Sequence, residues 1–90
     1  MYQPYQKPDP RCIHAAYEAG MLTGATFLKM LVVPLAERLC VLEDGITVVA
    51  AQPDGTPSFD ENGQHITPTE LANSLKNNSA WRACWEGGAR

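Results

Sequence analysis

Apolar residues recur along this chain in distinct patterns, and each pattern predicts a different element. After a polar arm at 1–8 (MYQPYQKP), which has neither a helical nor a strand period, Asp9 and Pro10 open a helix. Asp accepts hydrogen bonds as an N-cap, and Pro at the first helical position loses no backbone bond. Ile13, Ala16, Tyr17 and Gly20 follow at helical spacing, and Gly20 suits the left-handed position that closes a helix. His14 stands off this stripe and reads as a solvated or capping side chain, not a ligand. A second helix is predicted with Thr23 as its cap. Its stripe is Leu28, Leu31, Val32, Leu35 and Leu39, at i, i+3, i+4, i+7 and i+11. Pro34 falls inside that run, so a kink, or two short helices meeting near Val33, is expected. Phe27, Met30 and Val33 lie off the leucine stripe, which leaves 27–36 apolar almost all round apart from Lys29. Such a helix is either central to a core or covered by a partner.

The period then drops to two. Cys40-Val-Leu-Glu43, Asp44-Gly45 and Ile46-Thr-Val-Val49 form the pattern of a hairpin with a two-residue type I′ turn, pairing Val41 with Val48. That register puts Val41, Ile46 and Val48 on one face and Cys40, Leu42, Thr47 and Val49 on the other. Turns are predicted at Pro53-Asp54-Gly55 and Asp60-Glu61-Asn62-Gly63, with Phe59 between them as an anchor into the core. Thr67-Pro68-Thr69-Glu70 is a capping box opening a helix with Leu71 and Leu75 inward and Asn77-Asn78 as its stop. Ser79 is placed to cap a last turn carrying Trp81, Cys84 and Trp85. The expectation is one α+β domain over 9–86: two N-terminal helices (the second kinked at Pro34), a β-hairpin and a capped C-terminal helix. An extended arm at 1–8 and a flexible tail at 87–90 flank it.

Composition narrows the functions available. Ninety residues support one small core, and a net charge of −3 lacks the basic excess of a nucleic-acid binder, so direct nucleic-acid contact is not expected. No apolar stretch is long enough to span a membrane, and the N-terminus does not read as a signal peptide. Cys12, Cys40 and Cys84 are odd in number and far apart, which points to buried thiols in a reducing cytoplasm, not to disulfides. With His14 and His65 they make five soft ligands, but only Cys12-x-His14 approaches zinc-site spacing. The stretch around Asp60–Leu71 fails as a calcium loop in either register, losing the glycine at position 6 or the bidentate Glu at 12. No phosphate-binding glycine loop and no local nucleophile–base motif is present, so neither a cofactor nor catalysis is expected.

Charge is unevenly spread. Between Arg38 and Lys76 there is no Lys or Arg, while Glu43, Asp44, Asp54, Asp60, Glu61 and Glu70 all fall there. Glu43, Asp44, Asp54, Asp60 and Glu61 are therefore either a solvated acidic face or a surface that docks onto a basic protein or occupies a nucleic-acid groove. Trp81, Arg82 and Trp85, with Tyr2 and Tyr5 of the arm, are candidates for contact with protein partners, because Trp, Tyr and Arg dominate interface hot spots. The two Trp serve equally as the closure of a small core.

One resemblance spans about two-thirds of the chain. The residues that carry it are Ala15-Ala-Tyr-Glu-Ala-Gly20, Val41-Leu-Glu-Asp-Gly45 with Val48-Val49, Asp54-Gly55-Thr-Pro57, Gly63, and Ile66-Thr-Pro-Thr-Glu-Leu71 ending in Leu75. In this order they resemble a module of tailed-phage virion-assembly proteins, similar to a region near the C-terminus of some phage capsid scaffolding proteins. The chain departs from that pattern in having no long charged helix ahead of the module and no terminal Lys/Arg cluster, so the resemblance implies a stand-alone relative. It implies no catalytic or metal residue. The resulting expectation is a non-enzymatic phage or prophage structural or assembly protein, in the cytoplasm of a bacterial host or in the virion. It would form homo-oligomers through Phe27, Met30 and Val33. The alternative is a small acidic phage-encoded inhibitor that binds a host protein through the 43–61 segment.

Overall fold

The computed structural model describes residues 9–86; the arm at 1–8, with Tyr2 and Tyr5, and the tail at 87–90 lie outside them. The fold class is α+β. Helix α1 (Pro10–Leu22) begins as its sequence predicts, with the Asp9 carboxylate accepting from Arg11 N–H at 2.8 Å and Pro10 in the first turn. It does not end at Gly20. The helix runs through that residue, Thr23 is its C-cap, and the left-handed closing position falls to Gly24, with φ +82°. Gly20 is buried for a different reason. A Cβ there would stand 2.6 Å from Leu28 Cδ2 and 3.1 Å from Leu31 Cδ2, so the missing side chain is what lets the second helix pack this closely. The buried stripe of α1 is Cys12, Ala16, Ala19 and Gly20, which turns Tyr17 outward.

Helix α2 (Leu28–Ala36) is one nine-residue helix with Pro34 inside it. Thr23 does not cap it. Phe27 stands at its N-cap with no side-chain cap bond, and its inward residues are Leu31, Leu35 and Ala36. Leu39 leaves the predicted helical stripe and instead begins β1 (Leu39–Val41), which pairs antiparallel with β2 (Val48–Ala50). The predicted register holds, with Val41 opposite Val48.

The turn between the strands is a different one. Leu42 N–H reaches Thr47 C=O at 2.8 Å, so four residues, 43–46, make the connection. Of these only Gly45 has positive φ (+74°), whereas a type I′ turn needs it at Asp44 too. Asp44 stays on the ordinary side of the map because its carboxylate folds over the loop and accepts from Ile46 N–H, Thr47 N–H and the Thr47 hydroxyl. Ile46 is consequently 80% exposed and does not share a buried face with Val41 and Val48.

The segment that follows folds back along β2. Ala50 donates to Ile66 C=O and accepts from Ser58 N–H, and Ala51 bridges Pro57. Phe59 is not a core anchor. It is 53% exposed and lies against His65, ring centroids 4.9 Å apart, across an isolated bridge. Helix α3 (Pro68–Lys76) carries both halves of the capping box, Glu70 N–H to Thr67 Oγ1 and Thr67 N–H to Glu70 Oε1. It buries Ala72 and Leu75. Asn78, not Ser79, organises the next turn: its side chain accepts from Ala80 N–H and its carbonyl from Trp81 and Arg82 N–H. Helix α4 (Ala83–Glu86) then places Cys84 and Trp85 in the core with Leu31, Leu35, Leu39 and Leu75.

Candidate self-association face

Small residues on α1 hold α2 close, and the consequence is felt on the other side of α2. Leu31 and Leu35 satisfy its inward face completely, and the helix has no polar residue except Lys29 to turn toward water. Phe27, Met30 and Val33 are therefore 40%, 55% and 42% exposed. Tyr17 joins them from α1, and the four line a groove of about 640 Å³ together with Thr26, Leu28, Lys29 and Val32. Met21, one turn beyond Tyr17 on α1, is exposed as well. The three residues assigned from sequence to self-association thus stand together on one surface.

Two residues that line this groove, Thr26 and Phe27, are held by the C-terminal segment. Cys84 C=O accepts from both Thr26 N–H (2.8 Å) and Phe27 N–H (2.9 Å), and Thr26 Oγ1 donates to Trp85 C=O at 2.8 Å. Trp85 Nε1 donates to Thr23 Oγ1 at 2.9 Å, and Lys76 Nζ reaches Thr23 C=O at 3.1 Å. Thr23 Oγ1 in turn donates to Ala19 C=O. Trp85 is only 8% exposed, so its ring belongs to the core, which corrects its assignment to a partner surface. Trp81 is half-buried against the core with the Arg38 guanidinium 5.2 Å from its ring centroid, and Arg82 is exposed one residue on. Sequence reasoning did not find the Thr23–Thr26 corner. Its one available signal was that a buried Trp requires an acceptor for its indole N–H.

The acidic residues of the 43–61 segment do not form one site. Asp44, Asp54 and Asp60 each spend the carboxylate on their own turn. Asp54 accepts from Thr56 N–H and Oγ1, and Asp60 from Asn62 and Gln64 N–H. The Thr47 hydroxyl and then the loop amides hold Asp44 down to about 2, and the Thr56 hydroxyl lowers Asp54. Glu43 and Glu61 are exposed. Beside the hairpin turn the Arg11 guanidinium holds Asp9 down to about 2, and Arg11 also donates to Gly45 C=O, tying the start of α1 to that turn.

Cys12, Cys40 and Cys84 are free thiols, each raised above the ordinary value by burial. His14 is exposed on α1, 3.5 Å from Glu18. Among the described residues no three His, Cys, Asp or Glu side chains come together as a metal site, and no helix is long and apolar enough to cross a membrane. No protein-family model matches the chain, and neither a curated protein nor a solved structure matches it.

Proposed function

We propose that this chain is a non-enzymatic structural or assembly protein of a phage or prophage that works by self-association through the outer face of α2. The observation that carries the self-association is the groove lined by the apolar side chains of Tyr17, Phe27, Met30 and Val33, with Met21 one helical turn from Tyr17, each about half exposed. Together they present roughly 400 Å² of apolar surface, within the ~300–600 Å² of the largest patches on monomers, which are often functional. Two copies joined there, with the rim included, reach roughly 1,000 Å² in total, the low end for a specific contact. Association is therefore expected to depend on concentration. The phage setting, in the cytoplasm of a bacterial host or in the virion, follows the sequence resemblance. The acidic-inhibitor alternative lacks a comparable observation, since three of its five carboxylates are committed to their own turns.

Met30→Asp and Val33→Asp test the reading. Both positions are exposed, so each variant should keep the wild-type circular dichroism spectrum while its mass by light scattering falls to that of one chain. Charge reversal at Asp54, Asp60 and Glu61 should leave the mass unchanged. Oligomers that persist in both α2 variants would overturn the assignment.

A further inference from the structure

We infer that the C-terminal segment 78–86 is a strap whose seating sets the self-association face, so that loosening the bonds of Trp85 to the corner weakens the contact. The inference rests on the self-association reading for its consequence, but the strap itself stands on geometry. Phe27 lines the apolar groove and caps α2 with its backbone alone: no side chain supplies the cap bond, and its carbonyl takes Met30 and Leu31 N–H. A helix start of this kind is weak when left to itself, since a capping side chain contributes about 1 kcal/mol that is missing here.

What holds the start in place comes from far away in sequence. Cys84 C=O receives the N–H groups of both Thr26 and Phe27, Trp85 C=O receives the Thr26 hydroxyl, and the Trp85 indole is seated on Thr23. Four hydrogen bonds from two adjacent strap residues thus reach three residues of the corner, Thr23, Thr26 and Phe27. The strap's own helix, α4, is four residues long, too short to be stable apart from the domain. Strap and corner are therefore formed or lost together, and the orientation of Phe27 goes with them. The hairpin takes no part in these four bonds, and α3 adds one bond of its own to the corner, Lys76 Nζ to Thr23 C=O.

The experiment compares wild type, Thr26→Val and Trp85→Phe by amide hydrogen exchange and by dissociation constant in sedimentation equilibrium. Thr26→Val keeps the shape and removes one hydroxyl bond. The amides of residues 26 and 27 should exchange about fivefold faster, the effect of losing one hydrogen bond, and at least about tenfold faster in Trp85→Phe. The Leu71 amide in α3 should keep its rate in Thr26→Val. The dissociation constant should rise in the same order as the exchange. Unchanged exchange at residues 26 and 27 would overturn the strap. Faster exchange with an unchanged dissociation constant would overturn its control of the face. A wild type that is monomeric throughout, with the exchange effect present, would overturn the self-association reading and uphold the strap's hold on the corner.

Discussion

Replacing Thr23 with valine removes one oxygen atom from the point where α1, the α1–α2 corner and the C-terminal segment meet. Thr23 and Trp85 are each 8% exposed, so water cannot replace what is lost. The two carbonyls that the hydroxyl serves are provided for without it. Ala19 C=O also accepts from Thr23 N–H, and Gly20 C=O from Ala25 N–H. The cost therefore falls on the indole N–H of Trp85, which has Thr23 Oγ1 as its acceptor at 2.9 Å. A buried donor left unsatisfied costs about 1–3 kcal/mol. For a domain of this size, a loss of about 2 kcal/mol lowers Tm by roughly 8–16 °C.

The assay is urea denaturation followed by far-UV circular dichroism, with every variant at one protein concentration because association would shift the midpoint. Trp85→Phe supplies the second arm of a double-mutant cycle. Once the indole N–H is gone, Thr23→Val has no donor to orphan, and its cost should shrink by about 1–2 kcal/mol relative to the wild-type background. Costs that add to within about 0.5 kcal/mol would refute the account of the corner.

Three further outcomes follow from particular contacts. Gly20→Val should destabilise by about 1–3 kcal/mol in the same assay, because Leu31 is fully buried and cannot move aside; wild-type stability would mean that α1 and α2 are not so close. Asp44 is held at about 2, below the roughly 3.9 of an unfolded chain, so its contribution is present above pH 4 and lost as pH falls from about 4 to 2. Asp44→Asn should flatten the urea midpoint against pH across that window, and an unchanged profile would contradict the turn described. Cys12 and Cys84 are buried and all three thiols are raised, so native protein at pH 8 should react with a disulfide reagent far more slowly than free cysteine does. Fast native labelling of Cys12 or Cys84 would contradict that burial.

Local features of the fold were legible where a few neighbouring residues decide the geometry. The Asp9-Pro10 start, the Thr67–Glu70 capping box and the Val41–Val48 register are all of this kind. Legibility failed where a distant contact decided instead. Gly20 reads as a helix stop, because glycine in a helix interior costs up to about 1 kcal/mol, until Leu28 is seen to occupy the space of its side chain. Thr23 reads as a cap for the helix that follows it, yet its hydroxyl turns back to α1 and forward to a tryptophan 62 residues away. Asp44-Gly45 predicts a hairpin correctly and its turn type incorrectly, since the carboxylate satisfies the loop amides by a route that backbone preferences do not describe. The exposed face was visible in outline, as a helix with too many apolar sides. Which of them the core would take depended on the glycine and alanines of α1.

The central claim is that two or more copies meet through Phe27, Met30 and Val33, and mass against concentration tests it most directly. Light scattering on the intact protein, from about 1 to 500 μM, should show the mass climbing from one chain toward a discrete multiple, with Met30→Asp remaining at one chain throughout. A wild type that stays at one chain over the whole range would contradict the account.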